Sequence, residues 1–371
     1  MYKILVINTG STSTKIAVFE DSDCVLKDNL FMSEDVLKAC EKTVDQLPFR
    51  EKIIRDWLDK YGYKTEDFNM ISARGGPLPP VQGGAYKVNR LMLDVLTYAP
   101  ASRHESALSC MLAADLAKGT DVPAIIYDSV GTDEMRKVAK YTGRPELKNR
   151  AGGHVLNSRR VCRITAAKLG KEYKDCSFVV AHLGGSITVT AHEGGKIVDK
   201  IGAYNGPMST QRAGKIATDQ MIKLCYSGKY KEAELAKLLN GGSGFKAYFG
   251  TQDAKKISEM LDNGDELARE VTDALVYQTC KAIGEMIVAC ENPADRIIIT
   301  GGMANFKYVT NSIVKRMSRF APVEVLPGEF EMEALAEGAL EVLTGAEEAK
   351  EYNVLPAGYS SEEEFYKAFK S

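Results

Sequence analysis

Hydrophobic and polar positions alternate at the start of the chain and take up helical spacing further on. Ile4 to Ile7 is a short apolar run, Asn8-Thr9-Gly10-Ser11-Thr12-Ser13 follows it, and Lys15 to Phe19 is apolar again. This order predicts strand, polar turn, strand. Cys24 to Met32 predicts a third strand with polar interruptions. Apolar spacing of three and four predicts helices near 50–61, 90–98, 104–118 and 132–141, with strands at Met70–Ala73 and Ala124–Tyr127 between them. A further helix is expected from Asn157 to Leu169, with Asn157 as its N-cap.

The opening pattern then recurs. Phe178-Val179-Val180-Ala181-His182-Leu183-Gly184-Gly185-Ser186 leads into Ile187-Thr188-Val189-Thr190-Ala191, and Lys196 to Ile201 follows. Laid over the start with an offset of 174 residues, Gly184 falls on Gly10 and Ala191 on Ala17. Two readings fit: a pair of ordinary hairpins, or a duplication in which two related domains face each other across a cleft. The rest is mostly helical, at about 216–227, 231–239, 253–262 and 264–290. Strand Arg296–Thr300 meets Gly301-Gly302 and a helix over 305–319; strand Val323–Leu326 and helix Glu331–Leu343 come last. Ser361-x-x-Glu364 predicts a cap on a short terminal helix. No low-complexity linker interrupts the chain, and a boundary is expected near residue 150.

Composition narrows the partners. A length of 371 residues predicts two domains or one large one. Lys plus Arg is 48 and Asp plus Glu is 50, a net charge of −2, which supplies no electrostatic footprint for nucleic acid or an anionic membrane. No stretch approaches the ~18 apolar residues of a membrane span, and the opening apolar run is too short for a signal peptide. Eight cysteines never fall in C-x-x-C spacing, so scattered reduced thiols in a cytoplasmic protein are expected. The surplus is in glycine, 32 residues with many paired, which suggests backbone approaching a ligand.

Three turns carry candidate chemistry. Asn8 to Lys15 offers backbone N–H groups, five hydroxyls and a cation at one end of a strand pair, as phosphate oxygens require. It is no P-loop, because G-x-x-x-x-G-K-[ST] is absent and a strand follows. His182 to Ser186 is the matching turn, where paired glycines let a phosphate reach the main chain. Thr300-Gly301-Gly302 leads into a helix whose N-terminus favours an anion. Each could equally be an ordinary polar turn. Arg74, Asp128, His154 and Arg212 are isolated charged or titratable residues at strand ends or beside glycines. Solvated or structural roles are open to each. Glu329, Glu331, Glu333 and Glu337 surround the start of the last helix, where complementing the helix dipole would suffice.

Taken in order, these residues resemble a known family. Asn-x-Gly-Ser-x-Ser-x-Lys from Asn8, Arg-Gly-Gly from Arg74, the strand-end Asp128, His154-x-x-Asn157, His182-Leu-Gly-Gly, Arg212-Ala-Gly, the turn at Gly301-Gly302 and Glu331-Met-Glu-Ala-Leu look like the acetokinase family. That family belongs to the acetate and sugar kinase/Hsp70/actin superfamily, and the match is greatest with its butyrate kinase branch. The resemblance covers nearly the whole chain and favours the duplication. It implies an α/β protein of two duplicated ribonuclease-H-like domains, the actin-like ATPase fold, with a nucleotide cleft between them. Residues 1–150 with 335–371 would form the first domain, and 151–334 the second, with nucleotide-binding turns.

The implied reaction is reversible transfer of the γ-phosphoryl group of ATP to a short-chain fatty acid, with butanoate as the expected acceptor. ATP/ADP would be the nucleotide and Mg²⁺ the metal, in a cytoplasmic homodimer. Another phosphotransferase of the superfamily, or a catalytically weak nucleotide-binding paralogue, is the alternative. By resemblance, Arg74 holds the acid's carboxylate and Asp128 is the acidic catalytic residue, assigned to positioning or metal organisation before proton removal. His154 and Arg212 contact the transferring group. Gly10, Ser11, Ser13 and Lys15 form the first phosphate turn; His182, Gly184, Gly185 and Ser186 form the second; Gly301, Gly302 and Asn305 lie on the adenosine side. Asn8 and Glu333 are the magnesium-associated pair, with Glu331 in its place after a two-position slip. The chain departs from the family pattern at Thr9, where Pro is usual, at Ser186, where a third Gly is usual, at Gly152-Gly153, at Ser209-Thr210-Gln211 and at Lys215-Ile216-Ala217.

Overall fold

The structure, a computed structural model, describes residues 1–99, 104–202 and 204–370. Its strands are β1 (Lys3–Thr9), β2 (Ser13–Glu20), β3 (Asp23–Phe31), β4 (Met70–Arg74), β5 (Ala85–Lys87), β6 (Ala124–Tyr127), β7 (Ser177–Leu183), β8 (Ile187–Glu193), β9 (Lys196–Gly202), β10 (Arg296–Gly301), β11 (Val323–Pro327) and β12 (Lys350–Glu351). They form two mixed sheets in two compact units. Residues 1–133 with 330–371 make one unit and 134–329 the other, where the sequence placed the divisions at 150 and 334.

In the first unit the sheet order is β12-β5-β6-β4-β1-β2-β3. Strand β1 is antiparallel to β2 and parallel to β4, and β4 is parallel to β6. Leu5 and Ile7 of β1 and Ile71 and Ala73 of β4 enter a core completed by the helices Leu47–Lys60, Arg90–Tyr98 and Leu108–Ala117. In the second unit the order is β11-β10-β7-β8-β9. Here β7 is antiparallel to β8 and parallel to β10, which is parallel to β11. The long helix Glu266–Ala289 supplies Leu275 and Ile283 to its core, against Val179, Ala181, Ile297 and Ile299.

Five strands of each unit thus follow one plan: a three-stranded antiparallel meander, then two strands parallel to its first. The 174-residue offset carries β1 onto β7, and the two strand-ends close differently. Gly10 N–H reaches Ser13 O at 2.8 Å, while Gly184 N–H reaches Ser186 O at 3.1 Å, one residue sooner. Beyond the turn, Ala17 (opposite Val6) is therefore matched by Thr190 (opposite Val180), not by Ala191.

Some expected elements differ. Residues 132–141 hold no α-helix, only a single 3₁₀ turn at Lys137–Lys140. Backbone groups there bond outward instead, Asp133 N–H to Val81 O and Arg136 N–H to Val198 O. The helix expected from Asn157 starts at Val155 and runs to Lys168, with His154 at its N-cap position and Asn157 buried inside it. The short β5 and β12 lacked a sequence signal of their own. Ser361 Oγ accepts from Glu364 N–H at 3.2 Å and caps the helix Glu362–Lys370 as expected. No helix among the described residues is long and apolar enough to cross a membrane.

Candidate active site

In the first unit, strand pairing gathers the candidate residues. Asn8 stands opposite Lys15 in the β1–β2 register, so both side chains leave the same face. Thr9, where the family pattern has Pro, donates its N–H to Ser109 Oγ at 2.8 Å and its hydroxyl to Glu105 O at 2.6 Å. A proline would lack the first of these bonds. They tie the end of β1 to the start of the helix Leu108–Ala117, and the turn Gly10-Ser11-Thr12 lies exposed beyond it.

The turn has an anchor that sequence reasoning missed. Arg50, wholly buried, donates to Gly10 O (2.9 Å), Ser11 O (3.2 Å), Ser13 O (2.9 Å), Thr14 Oγ1 (2.8 Å) and Gln46 Oε1 (2.8 Å). Its guanidinium satisfies the carbonyls on the inner side of the turn. The signal was present: Arg50 shares the buried stripe of its helix with Ile54, Trp57 and Leu58, at spacings of four, seven and eight.

Arg74 ends β4 beside β1. Its Nη1 lies 3.4 Å from Asn8 Oδ1 and 3.3 Å from Glu331 Oε2, and Asn8 Nδ2 donates to the same carboxylate oxygen at 2.7 Å. Glu331 is buried at the first position of the helix Glu331–Leu343. The carboxylate that meets Asn8 is therefore Glu331. Glu333, the residue expected there, faces Lys27 at 3.3 Å through Oε1, while its Oε2 is buried with no hydrogen-bond partner among the described residues. A two-residue step on a helix turns a side chain through about 200°, which separates the two glutamates.

Asp128 follows β6 with φ of 42°, left-handed backbone that Asp tolerates better than most residues. Its Oδ1 accepts from Gly84 N–H at 2.9 Å, and its own N–H donates to Gly84 O at 3.2 Å. Through the pairing of Arg74 with Tyr127, it lies at the strand ends next to Arg74.

In the second unit, His182 of β7 is buried, and its ring is stacked on that of His154, centroids 3.6 Å apart and planes 5° from parallel. His154 Nδ1 lies 3.1 Å from Thr188 Oγ1, and His182 Nδ1 lies 2.9 Å from Asn157 Nδ2. Gly153, with φ of 126°, would put a Cβ 2.9 Å from Thr188 Cγ2, so the Gly152-Gly153 departure is what lets His154 reach its place.

The turn Gly184-Gly185-Ser186 is braced by the loop before Arg212. Ser209 Oγ donates to Gly185 O at 2.6 Å and accepts from Arg212 N–H at 3.1 Å. Gln211 Nε2 would lie 2.8 Å from a Cβ at Gly185. The Arg212 guanidinium is held by Asn240 Oδ1, its side-chain partner among the described residues. Gly301, with φ of 90°, would place a Cβ 2.3 Å from Leu183 O, so only glycine lets β10 end beside the second turn. Asn305 Nδ2 closes the following 3₁₀ turn on Gly302 O at 3.1 Å, and both residues are exposed.

Each unit thus presents one constellation. The first combines an exposed hydroxyl-rich turn, a half-buried arginine and an amide–carboxylate pair of hard oxygen donors. The second combines two stacked imidazoles, a glycine turn and an arginine. No group of three or more His, Cys, Asp or Glu side chains comes together as a metal site among the described residues.

The sequence pattern of the acetokinase family matches residues 140–333. A protein of Thermotoga petrophila named "Probable butyrate kinase" is 41% identical over 353 residues, 95% of this chain and 99% of its own. "Butyrate kinase 2" of Clostridium acetobutylicum is 40% identical over the same shares. Among solved structures, acetate kinase of Porphyromonas gingivalis superposes with a TM-score of 0.74 at 18% identity, covering 92% of this chain and 100% of that one. A propionate kinase of Francisella tularensis gives 0.71 at 17%, covering 91% and 99%. The fold is that of these kinases, the actin-like fold of two related α/β domains, and the chain belongs to the acetokinase family.

Proposed function

We propose that the protein is a short-chain carboxylate kinase that transfers the γ-phosphoryl group of ATP reversibly to butanoate, giving butanoyl phosphate and ADP. The observation that carries this reading is the 40–41% identity to named butyrate kinases along 95% of the chain. Eight free thiols support action in the reducing cytoplasm. A homodimer rests on the family resemblance alone.

The residues suit the chemistry. A carboxylate oxygen of the acid attacks the γ-phosphorus while the bond to the bridging oxygen breaks, and that electron pair stays on ADP. The transferring group is metaphosphate-like, so positioning and charge stabilisation supply the catalysis. Arg74 uses Nη1 toward Asn8 and Glu331, and its Nη2 and Nε would fork onto the acid's carboxylate. A carboxylate needs no base to become a nucleophile, which leaves Asp128 an organising role at the strand ends. The turns at Gly10–Lys15 and His182–Ser186 offer donors to the phosphate chain, and Gly301, Gly302 and Asn305 border the nucleoside. His154 and Arg212 meet the charge that grows on the transferring oxygens.

For Mg²⁺ the donor set fits in one way. An amide and a carboxylate are hard oxygen ligands, too few for a protein-only cage, and such an ion completes its shell with water and substrate phosphate. Asn8 and Glu331 would hold it, with Glu333 two residues on. When bound, it would neutralise phosphate charge.

Trapping of acyl phosphate by hydroxylamine, with ATP, Mg²⁺ and a panel of acids, tests the proposal. Butanoate and its neighbours in length should give hydroxamate. Nucleotide binding without hydroxamate from any acid would identify a catalytically weak paralogue instead.

A further inference from the structure

We infer that Asn157 is a positioning residue that fixes the protonation of His182, so that His182 offers an Nε2–H donor at the turn Gly184-Gly185-Ser186. The inference deepens the phosphoryl-transfer reading above and rests on it for its catalytic consequence.

Asn157 is wholly buried inside the helix Val155–Lys168, where an asparagine has a cost unless its amide is used. Its Nδ2 lies 2.9 Å from His182 Nδ1 and 3.2 Å from Thr300 Oγ1. The Thr300 hydroxyl donates onward to Gly328 O at 3.3 Å, so toward Asn157 it accepts. That orients the amide with its NH₂ toward both partners. An NH₂ group only donates, so His182 Nδ1 must be the lone-pair nitrogen, and the neutral ring carries its proton on Nε2.

Nε2 is the atom that faces the phosphate turn: a Cβ at Gly184 would lie 3.4 Å from it. An N–H at this point attracts an anionic oxygen, whereas the other tautomer would present a lone pair and repel it. The His154 ring, 3.6 Å away and parallel, covers one face of His182 and holds its plane. Asn157 therefore acts through His182, joining the first helix of the unit to the ends of β7 and β10.

The chain has four histidines, so selective ¹⁵N-histidine labelling gives a spectrum in which His182→Gln identifies one ring. Two-bond ¹H–¹⁵N correlations at about pH 8, where imidazole is neutral, should show His182 protonated on Nε2 in the wild-type protein. Asn157→Asp, of equal size, substitutes an acceptor and should move the proton to Nδ1. With it, kcat for acyl phosphate formation should fall roughly 10- to 100-fold, as for other residues that orient a functional histidine, with KM for the acid unchanged. A wild-type His182 protonated on Nδ1 overturns the inference, and this holds even if the variant fails to fold. An unmoved proton in Asn157→Asp, or a moved proton with wild-type kcat, also overturns it. If no acid yields hydroxamate while both spectra read as expected, the kinase reading fails and the tautomer assignment stands.

Discussion

Asn8 and Glu331 lie 323 positions apart and are joined by a 2.7 Å hydrogen bond from Nδ2 to Oε2. Arg74 Nη1 meets both, at 3.4 and 3.3 Å. The end of the first strand, the end of the fourth and the start of the penultimate helix are thereby fixed to one another. Glu331 sits in the first turn of its helix, where the helix dipole favours a carboxylate, and beside a guanidinium that favours it further. One of its carboxylate oxygens, Oε2, is committed to that structure.

This arrangement ranks the two glutamates. Glu331→Gln keeps the shape and a carbonyl acceptor for Asn8 but removes the charge, so kcat should fall by something on the order of 10²-fold and the Mg²⁺ requirement should rise. Glu333→Gln should lose the partly exposed pair with Lys27, worth no more than about 1 kcal/mol, and keep most activity. Initial rates over an Mg²⁺ series for both variants decide it. Equal damage from both would mean that the orphaned Oε2 of Glu333 shares the metal.

The contrast also shows where sequence reasoning stops. The hairpins at Asn8 and His182, the strands after them and the acidic start of the helix at Glu331 were legible, because short apolar runs and Gly-rich turns are local signals. Which of Glu331 and Glu333 meets Asn8 depends on helix phase relative to a strand 323 residues away, and no local pattern contains that. Asn157 looked like an N-cap because Asn is common there, yet it is a buried polar residue in line with Val161 and Thr165. Arg50 had the same mark, a charge in an apolar stripe. In both cases a polar residue on a buried helix face was the available clue, and it read as noise until its partners were placed. The helix expected over 132–141 failed for the opposite reason, since Val81 and Val198 of β9 took the N–H groups of Asp133 and Arg136.

The two arginines should separate kinetically. Arg74 would hold the acid before and during transfer, so Arg74→Ala should raise KM for the acid strongly and leave KM for ATP nearly unchanged. Arg212 would meet charge present only in the transition state, so Arg212→Ala should lower kcat by about 10²–10³-fold. Lysine should rescue neither, because the planar fork is lost. Steady-state kinetics with both substrates varied is the measurement. Wild-type kcat in a folded Arg212→Ala would remove that residue from the chemistry.

Acid stability should carry the mark of His192. Its ring is wholly buried between Tyr173 Oη (2.8 Å from Nδ1) and Thr190 Oγ1 (2.8 Å from Nε2). Burial, with the Arg159 charge second, pushes its pKa down from 6.5 to about 3. The unfolded chain takes up this proton near pH 6.5 and the folded one only near 3, so the unfolded state binds more protons across that window. Stability is therefore intact above about pH 6.5 and is lost as pH falls toward 3, by about 2 kcal/mol between pH 7.5 and 5 from this group. Urea unfolding at the two pH values, with His192→Gln as the flat reference, checks it. An equal pH dependence in the variant would put the effect elsewhere.

The last prediction concerns Arg50, which touches no substrate in the proposed mechanism. Its guanidinium draws the carbonyls of Gly10, Ser11 and Ser13 inward. A peptide unit whose carbonyl is turned toward the core turns its N–H the other way, so the buried arginine sets which side of the first turn carries donors. Arg50→Met fills the space with an unbranched apolar chain but leaves the carbonyls of Gly10 and Ser11 and Thr14 Oγ1 without that donor, while Ser13 O keeps the N–H of Gly10. Each buried acceptor left unpaired costs about 1–3 kcal/mol, so the melting temperature should drop clearly. The turn should also lose its fixed shape, raising KM for ATP about tenfold, roughly one hydrogen bond to a charged group, while KM for the acid holds. Arg50→Lys should recover part of the stability and little of the nucleotide affinity, since one ammonium cannot span the acceptors that a fork reaches. Thermal unfolding and ATP titration on the same samples separate the two effects. A large fall in melting temperature with unchanged affinity for ATP would show that Arg50 supports the fold alone, and that the first turn keeps its donors in place without it.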